Sequence, residues 1–302
     1  MIQFVLKPCF LLLILFSSSI FAVCDMTVTV PKLESSKDKL INSLLQLSLN
    51  KVQANICYQQ NNQIVTEARK AKLIEDGVIN IQWASASSKV DEYLQHIEQP
   101  IFKGLMGFRI FVIRDNEQAK FDHINSVEQL KELVAGQGAF WGDTKVLKAA
   151  GLPVVTSTQG RRLWQMLNLK RFDYLPLGAH EPWADIELRP ELNFTVEKNL
   201  LLIYPSAMYF YLSKNNQQLF ELLNRGMRLA IDDGSYDELL FKSDMLQGAI
   251  NKANLANRKI LVIDNPYFSN KKIDLDLYKK QSIQIIQKLV KLKMEHEVIA
   301  SE

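Results

Sequence analysis

Apolar positions along this chain switch repeatedly between a two-residue period and a 3.6-residue period, the pattern of strands alternating with amphipathic helices. Residues 26–30 alternate Thr and Val and read as a strand. Residues 36–50 place Leu40, Leu44, Leu45, Leu47 and Leu49 on one broad face of a helix. A short charged helix over 66–75 turns Ala68, Ala71 and Leu73 inward and stops at Gly77. A strand over 78–83 runs into the polar loop 84–88, and 108–114 is strongly β-prone. Ser126, with Glu128 close behind, opens a helix over 126–133. A glycine-containing strand and turn (136–141) and a helix (143–150) stopped by Gly151 and Pro153 follow. Then come a strand (154–157), a helix (160–169), a strand (172–175) and an apolar run (200–213) that reads as a buried strand pair. The helix over 217–232 gathers Leu219, Leu222, Leu223, Met227 and Ile231 and stops at Gly234. A last helix, 274–298, sets Ile283, Ile285, Ile286, Leu289, Val290 and Leu292 among lysines, which suits packing along the first lobe; a partner or membrane-surface helix is the alternative.

Strand and helix signals of this kind predict an α/β chain in which helices cover mostly parallel sheets. The segment from about 115 to 199 has its own strand, helix and turn inventory, whereas its flanks each look incomplete. One lobe inserted into another accounts for this, with crossings near Arg114 and Tyr204. The expected division is a leader (1–22), the first part of lobe 1 (23–114), lobe 2 (115–204), the return of lobe 1 (205–273) and the C-terminal helix (274–302). The leader is read from Lys7, the apolar run 10–16 and the small residues ending at Ala22, and it predicts export with cleavage there. An uncleaved anchor is disfavoured because the run is shorter than the roughly 18 residues a span needs. A lipoprotein reading on Cys24 meets the large Val23 just before it.

Composition adds exclusions. With 47% hydrophobic and 23% charged residues, neither disorder nor multiple membrane spans is indicated. The net charge of +3 is scattered, so no clustered basic face points to nucleic acid. Cys9 leaves with the leader, and Cys24 and Cys57 remain as an even pair in an oxidising compartment, from which a disulfide is expected; two buried thiols are the alternative. Such a bridge closes a loop of about 30 residues and stabilises by about 3–4 kcal/mol on the loop-entropy model. His96, His123, His180 and His296 show no metal-ligand spacing, and no metal or other cofactor is expected.

The order of short motifs resembles the bacterial extracellular solute-binding proteins of family 3, which have the type II periplasmic-binding-protein fold. In the first lobe the resemblance rests on residues 69–73, Asp76-Gly77, Trp83 with its serine-rich loop, and 100–105. In the second it rests on Gly136-Gln137-Gly138, Trp141-Gly142-Asp143, Gly151-Leu152-Pro153, 171–174 and Glu181; it returns at 207–210 and 233–236. It implies two α/β lobes, each a mostly parallel sheet flanked by helices, with a hinge cleft between them. It further implies a periplasmic protein that captures a small polar solute, amino-acid-like or another small metabolite, by hinge closure, and delivers it to the membrane permease of an ABC-type importer. A sensory or interaction protein with a degenerate pocket, signalling to a membrane-bound receptor, is the alternative. The family's amino-acid binders grip a ligand carboxylate with an arginine ahead of an aromatic-Ser-x-Pro-Tyr stretch. Here Lys89 is the only cation in the equivalent stretch, and lysine does not give that planar two-point grip. Gly178 stands near the place of the family's strand-end acid, with Glu181 one turn on.

Pockets in two-lobed folds form between strand ends and helix starts, which nominates the candidate ligand-binding residues. Trp83 can stack on a solute or cover the core beneath its loop, and Ser85 and Ser87 can donate hydrogen bonds or simply make the turn. Arg109 interrupts an apolar strand and needs a partner, either in the cleft or in solvent. Trp141, Asp143 and Thr144 open a helix, as an anion site or as a plain cap. Glu181 can receive an ammonium, and Tyr209 can line the cleft or pack. No Gly-x-Ser-x-Gly elbow, phosphate-cradling loop or metal cluster supports catalysis, so an enzyme is not expected.

The exported chain should have the mass that begins just after Ala22, with no alkylation of Cys24 or Cys57 until it is reduced. Intact mass spectrometry checks this, and two alkylated thiols without reduction would overturn the pairing.

Overall fold

The computed structural model describes residues 24–52, 55–63, 67–86, 88–268 and 273–301, so the leader and Ser87 lie outside the described residues. Its strands are β1 (Met26–Val30), β2 (Ile56–Gln60), β3 (Ile81–Ser85), β4 (Leu94–His96), β5 (Phe108–Arg114) and β6 (Ala135–Gly138). They continue with β7 (Val154–Ser157), β8 (Leu175–Gly178), β9 (Phe194–Val196), β10 (Leu200–Ile203), β11 (Met208–Ser213) and β12 (Lys259–Val262). The first lobe holds the parallel pair β1-β2 and the antiparallel sheet β3-β11-β4. The second is built on β12-β10-β5-β8, with β9 also on β5 and the parallel pair β6-β7 alongside.

Pairing is more mixed than a mostly parallel sheet. β5 runs antiparallel to β8, β9 and β10, and β11 runs antiparallel to β3 and β4, because these strands carry the chain out of one lobe and back. The apolar run 200–213 does form two strands, but they do not pair with each other: β10 stays in the second sheet and β11 joins the first. The intervening Tyr204 and Pro205 mark the change of sheet.

The helix Ser36–Asn50 starts at a capping box in which Ser35 Oγ accepts from the Asp38 N–H and the Asp38 carboxylate accepts from the Ser35 N–H. Its buried face, Ile41, Leu44, Leu45 and Leu49, packs on the helix Gln217–Asp232, whose Leu219, Leu223 and Met227 are equally buried. The two backbones meet at Gly226, where a Cβ would lie 2.0 Å from the Ser48 carbonyl oxygen. A disulfide joins Cys24 to Cys57 across the start of the β1-β2 pair, with Cα atoms 5.7 Å apart.

After the helix Ser235–Phe241 the chain does something periodicity did not signal. Residues 244–257 form short helical turns whose Ala249, Ile250, Ala253 and Leu255 share one core with Ala179 of the second lobe and Leu45 of the first. Arg258 is buried and donates to the carbonyls of Ala253, Glu197 and Leu200. β12 then pairs in parallel with β10, so the 205–273 segment does not lie wholly in lobe 1: its last strand belongs to the second sheet. The helix Leu275–Ser301 crosses back, burying Ile286 and Leu289 in the first core, as the apolar face predicts, while Ile283 stays exposed. No helix among the described residues is long and apolar enough to cross a membrane.

Gly226→Ala should lower stability by about 1–3 kcal/mol, the usual cost of overpacking a close contact. Chemical denaturation with an unchanged m-value checks it; an unaltered midpoint would mean the two helices part at no cost.

Candidate functional site

The lobes are joined at a hydrogen-bonded node beside Gly107 and Tyr204. The Tyr204 N–H donates to the Gly107 carbonyl at 3.2 Å, and the Tyr204 carbonyl accepts the Tyr278 hydroxyl at 2.7 Å. A Cβ on Gly107 would sit 2.1 Å from the Tyr204 carbonyl oxygen and 2.5 Å from the Tyr278 hydroxyl, so only glycine lets these segments close up.

Arg109 lies two residues on, in β5, paired with Gly178 of β8 on one side and Leu202 of β10 on the other. A guanidinium so placed must find acceptors. Its Nε and one terminal nitrogen donate to the two Asp143 oxygens at 3.2 and 2.8 Å, and the other donates to the Met106 and Phe108 carbonyls at 2.7 and 3.1 Å. The Tyr204 ring lies 5.1 Å from the guanidinium carbon, and its hydroxyl donates to Asp143 Oδ1 at 2.6 Å. Burial pushes the Asp143 carboxyl up, but the Arg109 charge and the two donors outweigh it and hold it below the usual carboxylate value.

Asp143 reaches this position from the first turn of the helix Gly142–Ala149. Thr144 turns inward and donates to the Gly138 carbonyl at 2.6 Å, and the Trp141 ring lies against the Gly138 and Gly160 backbones. Phe140, just before, is 86% exposed. Glu181 bends back onto its own strand end, Oε2 accepting the Gly178 N–H at 2.7 Å, and its charge reaches Arg109 next door.

The other candidates lie on the first lobe. The Trp83 indole N–H donates to Asp38 Oδ1 at 2.8 Å, which ties the aromatic to the start of the Ser36–Asn50 helix. Ser85 is exposed at the end of β3. Tyr209 points to the other face of the β3-β11-β4 sheet from Trp83, since Trp83 pairs with Phe210, and it stacks on His96 at 4.6 Å.

The structure thus gathers Arg109, Asp143 and Glu181, keeps Trp83 on the first-lobe sheet and leaves Tyr209 on that sheet's other face. Sequence reasoning missed Tyr204, Asp38 and His180. Tyr204 had one readable signal: a phenol at the end of the run Leu200–Ile203 must find a partner once buried.

No family model and no curated protein matches the sequence. Solved structures do resemble it. YckB from Bacillus subtilis superposes with a TM-score of 0.52 at 12% identity, covering 79% of this chain and 96% of that one. The probable amino-acid ABC transporter extracellular-binding protein YtmK from Bacillus subtilis gives 0.51 at 16% identity over 72% and 96%. The substrate-binding domain 2 of Lactococcus lactis GlnP, in its open conformation, gives 0.50 at 16% over 72% and 94%. The chain has the two-lobed α/β fold of these proteins.

Burial lowers the His180 pKa below its ordinary 6.5, with Arg109 and Lys37 pushing the same way and Glu181 opposing. An unfolded chain therefore takes up this proton as pH falls through about 6.5 while the folded one does not, so stability is full above that pH and declines below it. Melting temperatures between about pH 8 and pH 5 should fall less steeply for His180→Gln than for the parent; parallel slopes would remove His180 from the account.

Proposed function

We propose that this chain is an exported, periplasmic solute-binding protein, made with a cleaved leader, that captures a small polar solute between its lobes and passes it to the permease of an ABC-type importer. No chemistry is done on the solute. The observation that carries this reading is the two-sheet architecture whose crossing strands meet at Gly107 and Tyr204, with Trp83 on the first sheet and Arg109, Asp143 and Glu181 gathered on the second. YtmK, with which the fold is shared, is by name a probable amino-acid ABC transporter extracellular-binding protein, and the GlnP domain is by name a substrate-binding domain. The lobe boundaries belong to the same proposal, with the hinge where β5 begins and β10 ends. Among the candidate residues, Trp83, Ser85 and Glu181 then face the solute, and Trp141 forms the wall of the second lobe.

A second reading, a sensory or interaction protein that engages a membrane-bound receptor without a solute, is favoured by one observation. The Trp83 N–H, Arg109, Asp143 and Thr144 already have partners within the chain. Thermal-shift screening of the purified mature protein against small polar metabolites separates the two. The first reading expects a saturable rise in melting temperature, weakened about 10- to 150-fold in affinity by Glu181→Ala through loss of a charge-assisted contact. A chain inert to the whole panel, but retained by a membrane receptor, supports the second.

A further inference from the structure

Arg109 is the cation that a solute carboxylate would seek in this site, and it is occupied. The Asp143 carboxylate meets it side-on, one oxygen on Nε and one on a terminal nitrogen, which is the two-point geometry by which a guanidinium holds a free carboxylate. The Tyr204 hydroxyl supplies a third donor to the same carboxylate. The two partners are not equally enclosed: the Arg109 side chain is 8% exposed and that of Asp143 is 29% exposed, so the acid lies between the arginine and water. Phe140 and Trp141, 86% and 38% exposed, lead into the helix that carries Asp143. Glu181 covers the Gly178 N–H beside Arg109 and adds a second negative charge.

We infer that Asp143 is a built-in carboxylate that closes Arg109 to solutes, so that the cleft selects neutral or cationic polar solutes over carboxylates. An incoming carboxylate meets the charges of Asp143 and Glu181 and finds no free guanidinium. Removal of the Asp143 side chain opens a path from water to Arg109 and leaves the Tyr204 hydroxyl free to donate, which makes a site for a small carboxylate ion. A pair that serves stability alone would lose strength on that removal without gaining affinity for an anion.

The selectivity rests on the solute-binding reading; the opening of Arg109 does not. The decisive probe is formate, with chloride at equal ionic strength as the control, read by melting temperature on the full mature chain. For Asp143→Ala, formate at a few times its dissociation constant should raise the melting temperature by about 2–4 °C. The parent, and Asp143→Ala combined with Arg109→Met, should show no formate-specific rise. An equal rise in the parent, or none in folded Asp143→Ala, overturns the inference. Should Asp143→Ala fail to fold, Asp143→Ser, which likewise removes the carboxylate and vacates its place beside Arg109, is read the same way. In the parent, matched pairs of amides and acids test the selectivity, with the acid expected to bind on the order of 10-fold more weakly. An acid that binds as well as its amide overturns the selectivity. If neither series binds while the formate response holds, the solute-binding reading fails and the built-in carboxylate stands.

Discussion

A guanidinium in the middle of an apolar strand is the constraint around which the junction of the two lobes is arranged. Arg109 enters β5 where the chain passes into the second sheet, with its side chain almost wholly removed from water. Leaving such a charge unpaired costs several kcal/mol, and removing one member of a buried pair typically costs about 3–5 kcal/mol. Asp143, Tyr204 and two backbone carbonyls meet that demand together. The consequences spread outward. Asp143 stands in the first turn of the Gly142–Ala149 helix, Tyr204 stands where β10 ends, and Tyr204 is tied to Gly107 at the first crossing.

The C-terminal segment uses the same node. Its strand β12 extends the second sheet, its long helix lies on the first core, and Tyr278 of that helix donates to the Tyr204 carbonyl. Two crossings leave a hinge with one ready axis. A third segment attached to both lobes adds a further tie between them, through β12 on β10, the helix on the first core and the Tyr278 hydrogen bond. Residues 244–257 add to this, because Gly248 packs against Trp183 of the second lobe while Ala249 and Ile250 sit in the core shared with the first.

Much of this architecture was legible in the sequence where one period ran long enough. The helices Ser36–Asn50 and Gln217–Asp232 and the strand Phe108–Arg114 carry unbroken patterns and clear stops, and they fall where those patterns place them. β2 and β12 were not legible, since Ile56–Gln60 is half polar and Lys259–Val262 is four residues that any apolar run resembles. The strand expected over 172–175 lies instead at Leu175–Gly178, because Pro176 and Gly178 read as a turn until pairing with β5 holds them extended. For the site, the sequence could say that Arg109 needs a partner but not which one. Asp143 and Glu181 were both nominated for a solute, and in the structure one neutralises the arginine and the other caps its neighbouring strand.

That outcome follows from what burial demands of polar groups. Arg109 was nominated because it is charged in a place that ought to be enclosed, and the same enclosure obliges such a group to be satisfied when no solute is present. A solute-binding cleft must therefore either expose such groups to water when empty or supply internal stand-ins that the solute displaces or avoids. This chain does both at different points. Ser85 at the end of β3 is left to water, whereas Trp83, Arg109 and Thr144 are held by Asp38, Asp143 and the Gly138 carbonyl. On the proposed solute-binding reading, recognition is set less by how many polar side chains converge than by which of them the fold leaves free, and the carboxylates supplied from within decide what charge a solute can bring.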